Sequence, residues 1–106
     1  MTNILKSLEQ TILARREAEP ETSYVASLRA KGRAKMAEKL GEEAIEAVIA
    51  AVQDDKAAMT GEAADLLFHL MVLLADMGLS LDDVIAELAR REGLSGLEEK
   101  AARGAS

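Results

Sequence analysis

The sequence predicts an all-α fold. Twenty Ala and fifteen Leu stand against a single Pro, a composition that favours helices. Apolar residues recur at helical spacing, and Gly and capping residues fall where the periodic stretches begin and end. With 106 residues, one domain spanning 1–106 is the natural count. Four to five helices in an antiparallel bundle are expected.

Leu5, Leu8 and Ile12 mark a first helix near residues 3–18, which Glu19-Pro20-Glu21-Thr22 breaks. Ser23 can cap a short helix through Tyr24, Val25 and Leu28 that ends at Gly32. A long helix follows from about Arg33 to Val52, with Met36, Leu40, Ala47 and Ala51 along one side. Asp54 or Asp55 can cap the next, which runs to about Met77 and stops at Gly78. Ser80 and Asp83 resemble a capping box for a last helix, Leu81 to Arg91, that Gly93 ends. Residues 94–106 read as a short polar tail. Gly41 and Gly61 lie inside helices, where close packing or a bend would account for them.

Composition excludes several functions. Without Cys there is no disulfide, thiol nucleophile or zinc–thiolate site. One Tyr, one Phe and no Trp leave few stacking platforms for single-stranded nucleic acid. A net charge of −6 argues against binding a phosphate backbone. The N-terminus has no signal-peptide pattern. The most apolar run, Leu66–Ala75, is too short to cross a bilayer. A cytoplasmic protein with no nucleic-acid or membrane partner is expected. The same run is apolar on nearly every face, and so small a chain can hardly enclose it. A homodimer that sandwiches this helix is the economical solution.

Two acidic patterns carry the chemistry. Glu42-Glu43-Ala44-Ile45-Glu46 is E-E-x-x-E, and Glu62-Ala63-Ala64-Asp65 is E-x-x-D. Residues three apart share a helix side, so Glu43 pairs with Glu46 and Glu62 with Asp65. The segment between the patterns suffices to end one helix, turn and start another. Both pairs can then face each other across an antiparallel seam. Four close carboxylates repel, and burying them uncompensated is costly. A hard divalent cation resolves this: oxygen ligands suit Mg²⁺ or Mn²⁺, and Mg²⁺ recruits substrate phosphates. Phosphate chemistry is therefore expected, with Glu43, Glu46, Glu62 and Asp65 holding metal and Glu42, Glu43 or Glu46 orienting water. The competing reading is a solvated acidic face on a non-enzymatic dimerisation module.

Lys31, Arg33, Lys35 and Lys39 form a basic cluster that would contact phosphates or merely solubilise the helix. His69 reads as a satisfied core residue, and Asp76, Asp82 and Asp83 as caps or dipole partners.

Three segments carry a resemblance: SYVASLRAKGRAKMAEKLGEEAIEAVIAA, GEAADLLFHLMVLLADMGLSLDDVIAELARR and SGLEEKAAR. Together they resemble the phosphoribosyl-ATP pyrophosphatases of histidine biosynthesis, within the all-α NTP pyrophosphatase (MazG-like) superfamily. The acidic motifs are shared across that superfamily. S-Y-x-A-x-L-x-x-K-G, E-K-x-G-E-E and S-G-L-E-E-K-A are more particular to this branch. The resemblance implies Mg²⁺-dependent hydrolysis of the α–β phosphoanhydride of phosphoribosyl-ATP. It maps the metal-binding acids to Glu43, Glu46, Glu62 and Asp65 and implies a compact helical dimer. Lys31, Lys35, Lys39 and Lys100 would meet phosphate or phosphoribosyl groups. A house-cleaning nucleoside triphosphate pyrophosphatase is the alternative with the same site.

Overall fold

A computed structural model describes residues 2–92 and Arg103. It contains five helices: α1 (Thr2–Arg15), α2 (Tyr24–Lys31), α3 (Arg33–Val52), α4 (Lys56–Asp76) and α5 (Leu81–Arg91). No strand occurs among the described residues. Most of the tail, including Glu98, Glu99 and Lys100, lies outside them.

The caps fall where the residue types place them. Ser23 accepts from the Ala26 N–H at 3.2 Å and starts α2. Gly32 joins α2 to α3 at φ 101°, a conformation that excludes most side chains. Asp55, rather than Asp54, caps α4 by accepting from the Ala58 N–H at 3.0 Å. Ser80 and Asp83 form a complete capping box on α5.

The α3–α4 turn is tight. Asp54 takes φ 55°, which Asp tolerates better than most residues. The Asp54 N–H reaches the Ala51 carbonyl, and the Asp55 N–H reaches the Ala50 carbonyl at 3.0 Å. This is a Schellman ending in which Asp55 also opens the next helix. The result is an antiparallel hairpin, the most extensive helix pairing among the described residues. A second Schellman ending, with Gly78 at φ 74°, stops α4.

Ile12, Val25, Leu28, Met36, Met71 and Val72 form the buried core. Two expectations shift. On α3, Ala50 is buried and Ala51 exposed, because the hairpin end turns Ala50 toward α4. α1 ends at Arg15 rather than 18, its last turn tightening through bonds from Glu17 to Ala14 and Ala18 to Arg15. A built Cβ at Gly41 or Gly61 meets nothing within 4 Å, so packing within the chain does not demand either glycine.

α4 is not enclosed: His69, Met71 and Val72 are its buried residues, and Leu67 is exposed. With a mean hydropathy of 1.4 over 18 residues, α4 is long and apolar enough to cross a bilayer, which its central run alone did not indicate. In this chain it pairs along α3 and carries Glu62 and Asp65 within that seam.

Asp76 acts neither as cap nor as dipole partner. Its carboxylate takes the Arg33 Nε at 2.8 Å and the Arg16 guanidinium at 3.5 Å, tying α1 and α3 to the end of α4. Arg33, then Arg16, hold its pKa below the usual carboxylate value. A lowered pKa stabilises the fold above the ordinary value of 3.8 and loses that contribution as pH falls below it. Asp76→Asn should therefore cost about 1–2 kcal/mol at pH 7, a figure reduced for the partial exposure of Arg33. The deficit should shrink as pH falls below 3.8, as read by chemical denaturation across pH. An equal deficit at both ends would show that shape, not charge, matters at this position.

Candidate metal centre

The hairpin brings the acidic patterns together. One carboxylate oxygen each from Glu43, Glu62 and Asp65 lie within 4.8 Å of one another. Glu43 and Asp65 meet across the middle of the seam, while Arg33 and Asp76 meet at its far end. Glu46, one turn from Glu43, stands at the exposed rim, beside Glu62 across the seam. Helical spacing within each motif and the turn's register between them produce this cluster.

Its electrostatics are unfavourable without a cation. Glu43 Oε2 and Glu62 Oε2 are buried with no hydrogen-bond partner among the described residues. Such orphaned acceptors are costly, and two beside each other point to a missing positive partner. The pKa of Glu62 is pushed up to about 7, first by the neighbouring Glu46 carboxyl, then by burial and by Glu43. Protonation is the cluster's way of shedding charge when nothing else neutralises it.

The donor set fits a hard divalent cation. Oxygen ligands around Mg²⁺ sit at about 2.1 Å, so opposite ligands are about 4.2 Å apart. A 4.8 Å cluster needs only a small side-chain adjustment to reach that geometry. Softer metals, which favour thiolate or imidazole, have no such ligand here: Cys is absent, and the single His is engaged elsewhere.

The remaining site candidates are arranged around this centre. Glu42 turns outward and takes the Lys39 ammonium at 3.3 Å, outside the three-acid cluster. Lys39 in turn lies in the field of Glu42 first, then Tyr24 and Glu43, which raise its pKa. Lys35 pairs with Glu38 at 3.2 Å, and Lys31 is exposed at the end of α2. Arg33, from the same basic run, is committed to Asp76.

His69 is the satisfied core residue expected of it. Its Nδ1 donates to the Asp65 carbonyl at 2.9 Å, which leaves Nε2 to accept from the Tyr24 hydroxyl at 3.0 Å. In the sequence Tyr24 reads as part of a short helix and of the S-Y-x-A-x-L-x-x-K-G segment, with no role of its own. Its place beside the centre depends on a contact with a residue 45 positions away.

Comparison with known proteins agrees with this picture. The family described as Phosphoribosyl-ATP pyrophosphohydrolase matches residues 5–92. A phosphoribosyl-ATP pyrophosphatase of Rhizorhabdus wittichii is 67% identical, covering 97% of each chain. One from Erythrobacter litoralis is 64% identical over 96% of this chain and 98% of its own. A third, from a Ruegeria species, is 58% identical over 94% and 95%. Enzymes of this class typically need a divalent metal, and the acidic cluster on α3 and α4 supplies ligands for one. By its matched residues and by its relatives, the chain belongs to the phosphoribosyl-ATP pyrophosphohydrolase family.

Proposed function

We propose that this protein hydrolyses phosphoribosyl-ATP to phosphoribosyl-AMP and pyrophosphate in the cytoplasm, the second step of histidine biosynthesis, with Mg²⁺ as its metal and Mn²⁺ as a substitute. The observation that carries the site assignment is the pair of buried, unpartnered carboxylate oxygens of Glu43 and Glu62 at the seam of two helices. A solvated acidic face would leave both oxygens in water, so a purely structural dimerisation module accounts poorly for them. The relatives' shared name favours phosphoribosyl-ATP over a general nucleoside triphosphate.

Glu43, Glu46, Glu62 and Asp65 hold the metal in this reading. Bound there, it polarises the phosphoanhydride and neutralises the charge that develops on it. Glu46, exposed at the rim, is placed to orient the attacking water, with Glu43 and Glu42 as the neighbouring acids. Lys35 and Lys39 sit in partly exposed ion pairs, which contribute little, so their ammonium groups turn to a phosphate at small cost. Lys31 and Lys100 complete the phosphate contacts.

A homodimer belongs to the same proposal. Ile45, Val48, Ile49 and Val52 form an exposed apolar stripe on α3, with Val52 82% exposed. Met59 and Leu67 add to it from α4. Their spacing is that of one helix face, and a second copy would cover it. Val48→Glu should halve the mass seen by light scattering while leaving helicity intact. An unchanged mass would place any interface elsewhere.

Glu46→Gln should lower Mg²⁺-dependent pyrophosphate release from phosphoribosyl-ATP by about 100-fold or more, since several kcal/mol of charge stabilisation is lost. Turnover near the parent rate would remove Glu46 from the site. Glu62→Gln should abolish turnover and yet raise the melting temperature of metal-free protein, because it relieves the repulsion. A lower metal-free melting temperature would show that the cluster is not a source of strain.

The pH dependence follows from Glu62. Native protein without metal binds more protons than unfolded chain between the ordinary value of 4.5 and about 7. Its stability should therefore decline as pH rises through that window. Saturating Mg²⁺ should remove this decline, and apparent Mg²⁺ affinity should be about tenfold weaker at pH 6 than at pH 8. Melting curves across pH with chelator and with Mg²⁺ would test this. Parallel curves would separate Glu62 from metal binding.

A further inference from the structure

The chain has one Tyr, one Phe and one His, and all three meet at one point beside the metal centre. Tyr24 and Phe68 stack with ring centroids 6.0 Å apart and planes 21° from parallel. His69 stands edge-on to both. The Tyr24 hydroxyl donates to His69 Nε2, whose ring is itself fixed by the Asp65 carbonyl. Two contacts thus hold the Tyr24 ring in place, yet the residue remains 48% exposed. A large aromatic held rigid and left half in solvent is a preorganised surface, since little freedom remains to be lost on binding.

Its position is equally specific. His69 follows the ligand candidate Asp65 by one helical turn, about 6 Å along the axis, which is the scale of a ribose between a base and its phosphate. Lys39 pairs with Glu42 at 3.3 Å, on the same helix as the cluster acid Glu43.

We propose that Tyr24 is the base platform of the enzyme: the purine of phosphoribosyl-ATP stacks on its ring while the polyphosphate extends past Lys39 to the acids of α3 and α4. The inference rests on the reading of those acids as the metal–phosphate site. Phe68 backs the platform, and His69 is a positioning residue that sets the plane of the ring. Stacking of a base on an aromatic face is tolerant of sequence and geometry, and the single hydroxyl anchor supplies the orientation.

Because Tyr24 is the only Tyr and Trp is absent, intrinsic emission reports this ring alone. With Mg²⁺ present, AMP should quench that emission, whereas pyrophosphate should leave it unchanged while raising the melting temperature. AMP that stabilises the fold without quenching would overturn the platform. Pyrophosphate that fails to stabilise the fold would instead overturn the metal–phosphate reading, with the AMP result still standing by itself. In kinetics, Tyr24→Leu should raise KM about tenfold with a smaller effect on kcat, and Tyr24→Phe, which keeps the ring, should stay within about threefold of the parent. Equal rises in KM for both variants would assign the effect to the His69 hydrogen bond and overturn the stacking role. Should Tyr24→Leu fail to fold, quenching of the parent protein decides the question.

Discussion

The register of the α3–α4 hairpin is the constraint on which the rest of the molecule depends. It is set by a turn in which Asp54 adopts a left-handed conformation and Asp55 both ends one helix and begins the next. A turn so short permits no slippage. Sliding α4 by one residue would rotate its side chains by about 100° and carry Glu62 and Asp65 away from Glu43. At the far end Asp76 holds the same register from Arg33, so the seam is pinned at both ends with the acids between.

Pinning matters because the contacts in the middle repel. The apolar face of the hairpin, the Schellman turn and the Asp76 ion pairs stabilise a conformation that the cluster by itself would push apart. The raised pKa of Glu62 and the two orphaned oxygens record that opposition. A cluster of this kind is preorganised: its carboxylates are held together by the fold, which meets the cost of bringing them together.

Much of this arrangement was legible in the sequence, and for identifiable reasons. Helix boundaries follow from local chemistry, so Ser23, Asp55, Ser80 and Gly78 are found where caps and stops belong. The acid pairs follow from spacing within a helix, and their meeting follows from the short connection. What escaped depends on contacts between distant positions. Asp76 looks like any helix-terminal acid until Arg16 and Arg33 reach it. Tyr24 looks like a helix start until His69 takes its hydroxyl. Ala50 and Ala51 differ only in how the hairpin end turns. Glu42 sits in the motif, but its direction depends on the rotamer by which it meets Lys39.

The hairpin bears on folding as well. All four acids belong to one hairpin, residues 33–76, whose contacts run from the tight Asp54–Asp55 turn out to the Arg33–Asp76 pair. Closing the hairpin draws the carboxylates together, so their repulsion opposes its formation as well as straining the finished structure. A divalent cation bridging them would offset that repulsion as the hairpin closes, and would thereby link metal binding to folding.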